Sequence, residues 1–303
     1  MTWDIAVAGT VTLDDVTTPH GRRTEQPGGS AVYSALAAAG FAPVFLIGTR
    51  GRDGDRCADA IARRGIRTDG LTVVDRPTFR WRAVHDYDRW ITGSEASAEG
   101  AYVDWSPRLP EPAARAPVLF AGSMRPDLQS LVIDQSRARL IGIDSMSVFI
   151  AAGRHDVAAV VERADVLFLD RAELGALTAT SPARWRHAAG SLCGRGRLRA
   201  VVVKGGPAGA ACVTAESVTE RPAGPVAAVI DPTGAGDALA GGFLGACAMS
   251  ERDDEGQWPE ALERGIECAA AAISGFGTEA LLSLGAAAHP TWRRRGSRPE
   301  GQP

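Results

Sequence analysis

The sequence predicts an α/β protein built on a doubly wound, mainly parallel sheet, with a small β appendage placed to act as a lid. Three observations carry this expectation. Short apolar runs at residues 4–8, 44–47, 118–120, 140–143, 166–169 and 200–203 have the length of buried strands. Between most of them lie stretches with helical spacing, at 31–39, 58–64, 156–163 and 171–177, and alternation of that kind winds a parallel sheet with helices on both faces. Two stretches, about 14–27 and 71–98, break the rhythm with Thr, Arg, aromatic residues and turn formers, and residues 78–87 alternate like a half-exposed strand.

The chain of 303 residues suits one large domain over 1–285, with a fraying basic tail over 286–303 that carries Arg293, Arg294, Arg295 and three prolines. After the run at 200–203 come a Gly-Gly-Pro turn, a strand at 210–213 and a further strand at 226–230 that leads into a Gly-rich turn and a helix. A net charge of -3 gives no general basis for gripping nucleic acid. The five cysteines (57, 193, 212, 247 and 268) form no C-x-x-C pair, so they are read as reduced thiols rather than metal ligands. No apolar run approaches the roughly 20 residues of a membrane span, and no basic segment leads into an apolar one at the start. A cytoplasmic protein that handles a small solute is the expectation.

The chemistry concentrates in one stretch, where Val229-Ile-Asp-Pro-Thr leads into Gly234-Ala-Gly-Asp237 and then an Ala/Leu/Phe run. With so little side-chain bulk, the N–H groups of Gly234, Ala235 and Gly236 can converge at a helix N-terminus, which favours anions by geometry and by dipole. Asp237 follows directly, placed to take a proton from a hydroxyl attacking a bound phosphoryl group. A lone G-x-G-D would be read as an ordinary turn with a helix-start carboxylate. The longer string Asp231-Pro-Thr-Gly-Ala-Gly-Asp-Ala-Leu-Ala-Gly-Gly-Phe243 resembles the second signature of the ribokinase/PfkB carbohydrate kinase family. Pro27-Gly-Gly-Ser-Ala-Val-Tyr33 with its Ala-rich continuation, followed by 44–48 and 52–55, is similar to that family's N-terminal signature. The likeness spans roughly 4–284.

The resemblance implies a ribokinase-like fold, ATP with Mg²⁺, a closing lid and in-line transfer of the γ-phosphoryl group. It implies Asp237 as general base with Gly234, Ala235 and Gly236 as the anion hole. Asp14, with Asp15 as a competing neighbour, would bind substrate hydroxyls, and Gly28, Gly29, Ser30 and Tyr33 would line the same turn. Leu169-Asp-Arg-Ala-Glu-Leu174 resembles the element that organises Mg²⁺ and phosphate, with Asp170 in place of the usual Asn and Glu173 as the acid that meets Mg²⁺ through water. Lys204, Gly206 and Gly209, together with Gly236, would face the ATP phosphates. Residues 267–277 resemble the adenine-pocket helix, and Asp231 and Thr233 occupy the positions that hold K⁺ in some relatives. No G-x-x-x-x-G-K-[ST] loop is present, so a Walker-type cradle is excluded.

Lid alternation places Arg80 and Arg82 on one face and Phe79 and Trp81 on the other. An inward Arg pair would suit an acidic or phosphorylated acceptor; inward aromatics would suit a nucleobase or the face of an apolar ring. The acceptor is accordingly a sugar or sugar-like molecule with a free hydroxyl, with a nucleoside as the alternative and a non-catalytic binder on the same scaffold as the third reading. The aromatic lid permits a homodimer.

Overall fold

The computed structural model describes residues 4–86, 91–250 and 255–284. Tyr87 and the expected tail at 286–303 lie outside the described residues. Strands in chain order are β1 (Ile5–Ala8), β2 (Thr12–Thr18), β3 (Gly21–Gly28), β4 (Val44–Gly51), β5 (Arg67–Val74), β6 (Phe79–Asp86), β7 (Ile91–Ala98), β8 (Val118–Ala121), β9 (Leu140–Asp144), β10 (Val166–Asp170), β11 (Ala200–Lys204), β12 (Ala210–Val213) and β13 (Val218–Arg221). Helices are α1 (Ser30–Ala38), α2 (Asp55–Arg63), α3 (Glu111–Ala114), α4 (Pro126–Gln135), α5 (Ser147–Val161), α6 (Arg171–Thr178), α7 (Trp185–Leu192), α8 (Ala235–Met249), α9 (Trp258–Ala272) and α10 (Glu279–Ser283).

Nine strands form one sheet in the order β13-β12-β11-β10-β9-β8-β1-β4-β5. The run from β11 to β5 is parallel, and β12 and β13 close the edge as an antiparallel hairpin. Alternate residues of each strand feed two apolar layers. Val7, Leu46, Phe120, Phe168 and Val202 pack with α1, α8 and α9, whereas Ala8, Ile47, Leu119, Leu167 and Val201 pack with α4, α5, α6 and α7. Phe168 meets Phe120 and Phe243 edge to face at 6.0 and 5.5 Å, geometry that adds about 0.5–1.5 kcal/mol per pair beyond burial. A second sheet, ordered β3-β2-β6-β7, stands apart from the first as the lid.

Two sequence expectations need correction. Residues 71–74 belong to β5, the parallel edge strand of the main sheet, so the second lid segment starts only at Phe79, while the first starts at Thr12. The strand expected at 226–230 does not form. Pro225 and Pro232 flank it, the β12–β13 hairpin already occupies the place beside β11, and the segment is half-exposed, with Ile230 N–H donating instead to the Ile273 carbonyl. Among the described residues no helix is long and apolar enough to cross a membrane, and all five cysteines are free thiols.

Candidate active site

The site forms beyond the carboxyl ends of the parallel strands, where loops from both halves of the sheet converge. The base of α8 is fixed first. Helices α1 and α8 touch so closely that a Cβ on Gly241 would lie 2.2 Å from the Ser34 carbonyl oxygen, and Ser34 Oγ donates to the Asp237 carbonyl at 2.9 Å. Gly234 caps α8 in the left-handed region (φ 76°), and a side chain there would strike the ring of Tyr33. Only glycine meets both demands.

The turn corrects one member of the expected anion hole. Ala235 N–H bonds the Pro232 carbonyl at 3.3 Å, whereas the N–H groups of Gly236 and Asp237 have no protein acceptor among the described residues. The N–H of Gly234 likewise has no protein acceptor among the described residues, so the turn takes only Ala235 out of the expected set and adds Asp237, at the positive end of the helix dipole.

Asp231 shapes the approach to this turn. Its buried carboxylate accepts from Thr233 N–H at 2.9 Å and from Gly277 N–H at 3.0 Å. Lid residue His85 adds a third tie, its Nε2 sharing a hydrogen bond with Thr233 Oγ1 at 3.0 Å. The side chains of Asp231 and Thr233 are thus engaged within the turn.

Above the turn opens a cavity of about 730 Å³, lined by Asp14, Gly29, Ser30, Tyr33, Glu173, Gly234 and Asp237 from the body and by Phe79, Trp81, Ala83 and His85 from the lid. Burial pushes the Asp237 carboxyl up to about 7, reinforced by the charge of Asp144 and eased by Lys204. Burial likewise lifts Asp14 to about 7, opposed by the hydrogen bond it accepts from Thr12 Oγ1 at 2.5 Å. Gly28 packs against the Asp14 carboxylate so tightly that a Cβ would overlap it. Gly29 (φ 96°) turns the chain into α1, whose Ala31 N–H bonds the Thr10 carbonyl. Ser30 is spent on stitching loops together, with its Oγ donating to the Ser123 carbonyl at 3.2 Å and its N–H to Thr10 Oγ1 at 3.1 Å. Tyr33 forms the floor under Gly234, its hydroxyl without a partner among the described residues.

Arg80 and Arg82 do not face this cavity. Period 2 along β6 turns Phe79, Trp81, Ala83 and His85 inward, and Arg80 pairs outside with Glu25 and Asp53, each at 2.9 Å, while Arg82 is exposed. The aromatic face was the one the fold could bury, so the expected inward Arg pair does not form in this structure.

On the neighbouring strand ends, Asp170 and Glu173 close a capping box on α6. Glu173 N–H donates to Asp170 Oδ1 at 2.8 Å, and Asp170 N–H donates to Glu173 Oε2 at 2.9 Å. Asp170 is thereby a helix cap, which is the reading its position alone favours. Glu173 keeps its place on the cavity wall, its carboxyl raised to about 7 chiefly by burial. Lys204 Nζ lies 2.9 Å from both carboxylate oxygens of Asp144. Gly206 and Gly209 take positive φ in the turn between β11 and β12, outside the cavity, where a Cβ on Gly209 would strike the Arg221 carbonyl oxygen.

Asp144 and His85 are the partners the sequence reading missed as site residues. Asp144 had a signal: an acid at the C-terminal end of a buried parallel strand rarely has a packing role. The face of His85 depends on which side of β6 is inward, and alternation alone does not choose it.

A doubly wound sheet, a β lid and a buried carboxylate at a helix start with open amides define a protein of the ribokinase-like class. The profile of the pfkB family carbohydrate kinases matches residues 4–283. The chain belongs to that family. It is similar to a cytidine kinase of Thermococcus kodakarensis, 26% identical over 247 residues that cover 80% of this chain and 87% of that protein. Among solved structures it is similar to adenosine kinase from Sinorhizobium meliloti (TM-score 0.76, 17% identity, 93% of this chain and 98% of that one). It is also similar to a fructokinase from Vibrio cholerae solved with fructose, ADP and calcium (TM-score 0.75, 20% identity, 92% and 97%).

Proposed function

We propose that the protein is an ATP-dependent kinase that moves the γ-phosphoryl group to a hydroxyl of a sugar-containing small molecule, with Asp237 as general base. The observation that supports this is the juxtaposition at the start of α8: a carboxyl raised to about 7 beside backbone amides, those of Gly236 and Asp237, that have no acceptor among the described residues, at the foot of a cavity sized for a small ligand. In the transfer, the acceptor oxygen forms a bond to the γ-phosphorus, the bond from that phosphorus to ADP breaks, and the acceptor proton passes to Asp237. The amides of Gly236 and Asp237 stabilise the charge on the equatorial oxygens of the moving group.

Asp14, across the cavity, suits charge-assisted hydrogen bonds to neighbouring hydroxyls. Among the described residues no group of three or more His, Cys, Asp or Glu could hold a metal by itself. A divalent ion such as Mg²⁺ would accordingly arrive on the nucleotide phosphates and meet Glu173 through water, where it would neutralise phosphate charge. Closure of the lid would exclude water from the reacting centre and limit idle hydrolysis. A cytoplasmic setting, where ATP is available, fits this role.

The lid favours a nucleoside over a bare sugar as acceptor. Phe79 and Trp81 turn aromatic surface into the cavity, and Phe79 stacks on Tyr102 at 5.6 Å to extend that wall. A flat base gains more from such a surface than a polyol does. ADP release measured with ribose, fructose 6-phosphate, inositol, adenosine and cytidine tests both levels. Acceptor-dependent ADP is expected, strongest with a nucleoside. No ADP from any acceptor would instead indicate a binding protein on a kinase scaffold.

A further inference from the structure

Three adjacent parallel strands end in charged residues: Asp144 on β9, Asp170 on β10 and Lys204 on β11, with Asp170 in register with Lys204 and Asp144 in register with Phe168. Asp170 turns away to cap α6. Asp144 and Lys204 are left facing each other, with both carboxylate oxygens 2.9 Å from Nζ and side-chain exposures of 3% and 19%. One of those oxygens also accepts the Ser145 N–H at 2.8 Å, which fixes the carboxylate in place. Ion pairs this deep cost desolvation that an apolar pair of similar size would avoid. Strand ends at the open edge of such a sheet are also where ligands bind. The lysine stem runs under α8: a Cβ on Gly236 would lie 3.2 Å from its Cδ and 3.4 Å from its Nζ. The ammonium therefore sits just behind the open amide of Gly236. Burial works against its charge, but the carboxylates of Asp144 and Glu173 outweigh that and hold it protonated.

We propose that Lys204 is the cationic arm of the transfer site, contacting the γ-phosphoryl oxygens as they pass the Gly236 amide, and that Asp144 is a positioning residue that aims it there. The inference rests on the kinase reading above. It separates Lys204 from the α- and β-phosphates: the ammonium lies with the group that leaves ATP, so it distinguishes ATP from ADP. It also explains why three carboxylates, at 144, 173 and 237, gather where an anion must bind. One of them is tied to a lysine that can share its charge with the incoming phosphoryl group.

The test combines turnover with binding. Lys204→Met should lower kcat about 10²-fold, the scale for loss of one donor to a developing oxyanion. By calorimetry it should weaken ATP about tenfold and ADP by less than about threefold, since only ATP carries the group the lysine meets. Lys204→Arg should recover part of the rate by restoring charge, and serves as the measured variant if the Met protein fails to fold. Asp144→Asn, nearly isosteric, should cost about tenfold in kcat in the native background and nothing further when Lys204 is already Met.

Equal weakening of ATP and ADP, or kcat within about threefold of the wild type, would overturn the role of Lys204. A further loss from Asp144→Asn in the Met background would show that the acid acts otherwise than through the lysine. Failure of the kinase reading looks different, because the unsubstituted protein would then release no acceptor-dependent ADP.

Discussion

The turn that starts α8 and the lid above it are built on opposite principles. At the turn, polar groups are buried and nearly every one is committed: Asp231 accepts two amides, Ser34 holds the Asp237 carbonyl, and Lys204 is locked to Asp144. In the lid, the inward face of β6 is aromatic and the ion pairs lie outside, with Arg80 between Glu25 and Asp53. Preorganised dipoles in a dry site act on developing charge without having to rearrange. Aromatic faces bind by area and shape and tolerate exchange of the ligand. On the proposed function, the difference would give reactivity to the body and selectivity to the lid, which His85 and Thr233 join by a hydrogen bond.

The sharpest way to break that division is at Asp237. Asp237→Asn should lower kcat about 10²–10⁴-fold, the usual range for a general base, while ATP binding changes little. An Asn protein that keeps more than about a tenth of wild-type turnover, measured by ADP release, sinks the base assignment. Stability should move the other way. The folded carboxyl sits at about 7 against an ordinary 3.8, so the folded state holds its proton more tightly, and stability drains away as pH rises from about 4 to about 7. At pH 8 the Asn protein, which has no charge to bury, should melt higher than the wild type.

A pH profile sharpens the same comparison, because Asp14 and Asp237, like Glu173 on the same cavity wall, are raised to about 7, burial being the main cause in each. If both must be ionised, kcat/KM should rise about a hundredfold per pH unit well below 7 and level off above it; if only Asp237 matters, the rise is about tenfold. Asp14→Asn should bring the steeper slope down to the shallower one. A profile flat from pH 5 to 8 would contradict the raised values of both groups.

How much of this was legible beforehand follows from how local each signal is. The anion turn is written in one run of residues, since a positive φ at Gly234, a close approach at Gly241 and a carboxylate at 237 all fall within eight positions. The parallel strands were legible for the same reason, being short and continuously apolar. Contacts between distant segments were not. Lys204 was visible as a charge, but its partner Asp144 is 60 residues away and is met only once β9 and β11 lie on either side of β10. The 226–230 run shows the converse failure. Its composition is that of a strand, yet the β12–β13 hairpin takes the place beside β11 and the run stays half-exposed.

Selectivity in the lid is the next contrast. Trp81→Ala should reduce kcat/KM for a nucleoside about tenfold, within the roughly 1–3 kcal/mol that a base gains by stacking on an aromatic ring. Turnover of a simple sugar, if any is measurable, should stay within about twofold. The ratio of the two rates is the informative quantity. Equal loss on both acceptors would mean that Trp81 supports lid closure and does not read the base.

The smallest effects belong to the outer face of β6, and they complete the comparison. Arg80 joins Glu25 and Asp53 at the surface, where such pairs contribute about 0–1 kcal/mol because solvent and salt screen them. Arg82 is exposed on the same face. Arg80→Ala and Arg82→Ala should each leave kcat/KM for a neutral acceptor within about twofold, and should leave a phosphorylated sugar no worse off than a neutral one. A selective loss of activity toward an acidic acceptor would mean that the lid inverts on closing and brings the arginines inward. The sequence allowed that arrangement; burial of Phe79 and Trp81 against the cavity argues against it, because turning the strand over would expose both rings and strip the two cations of water.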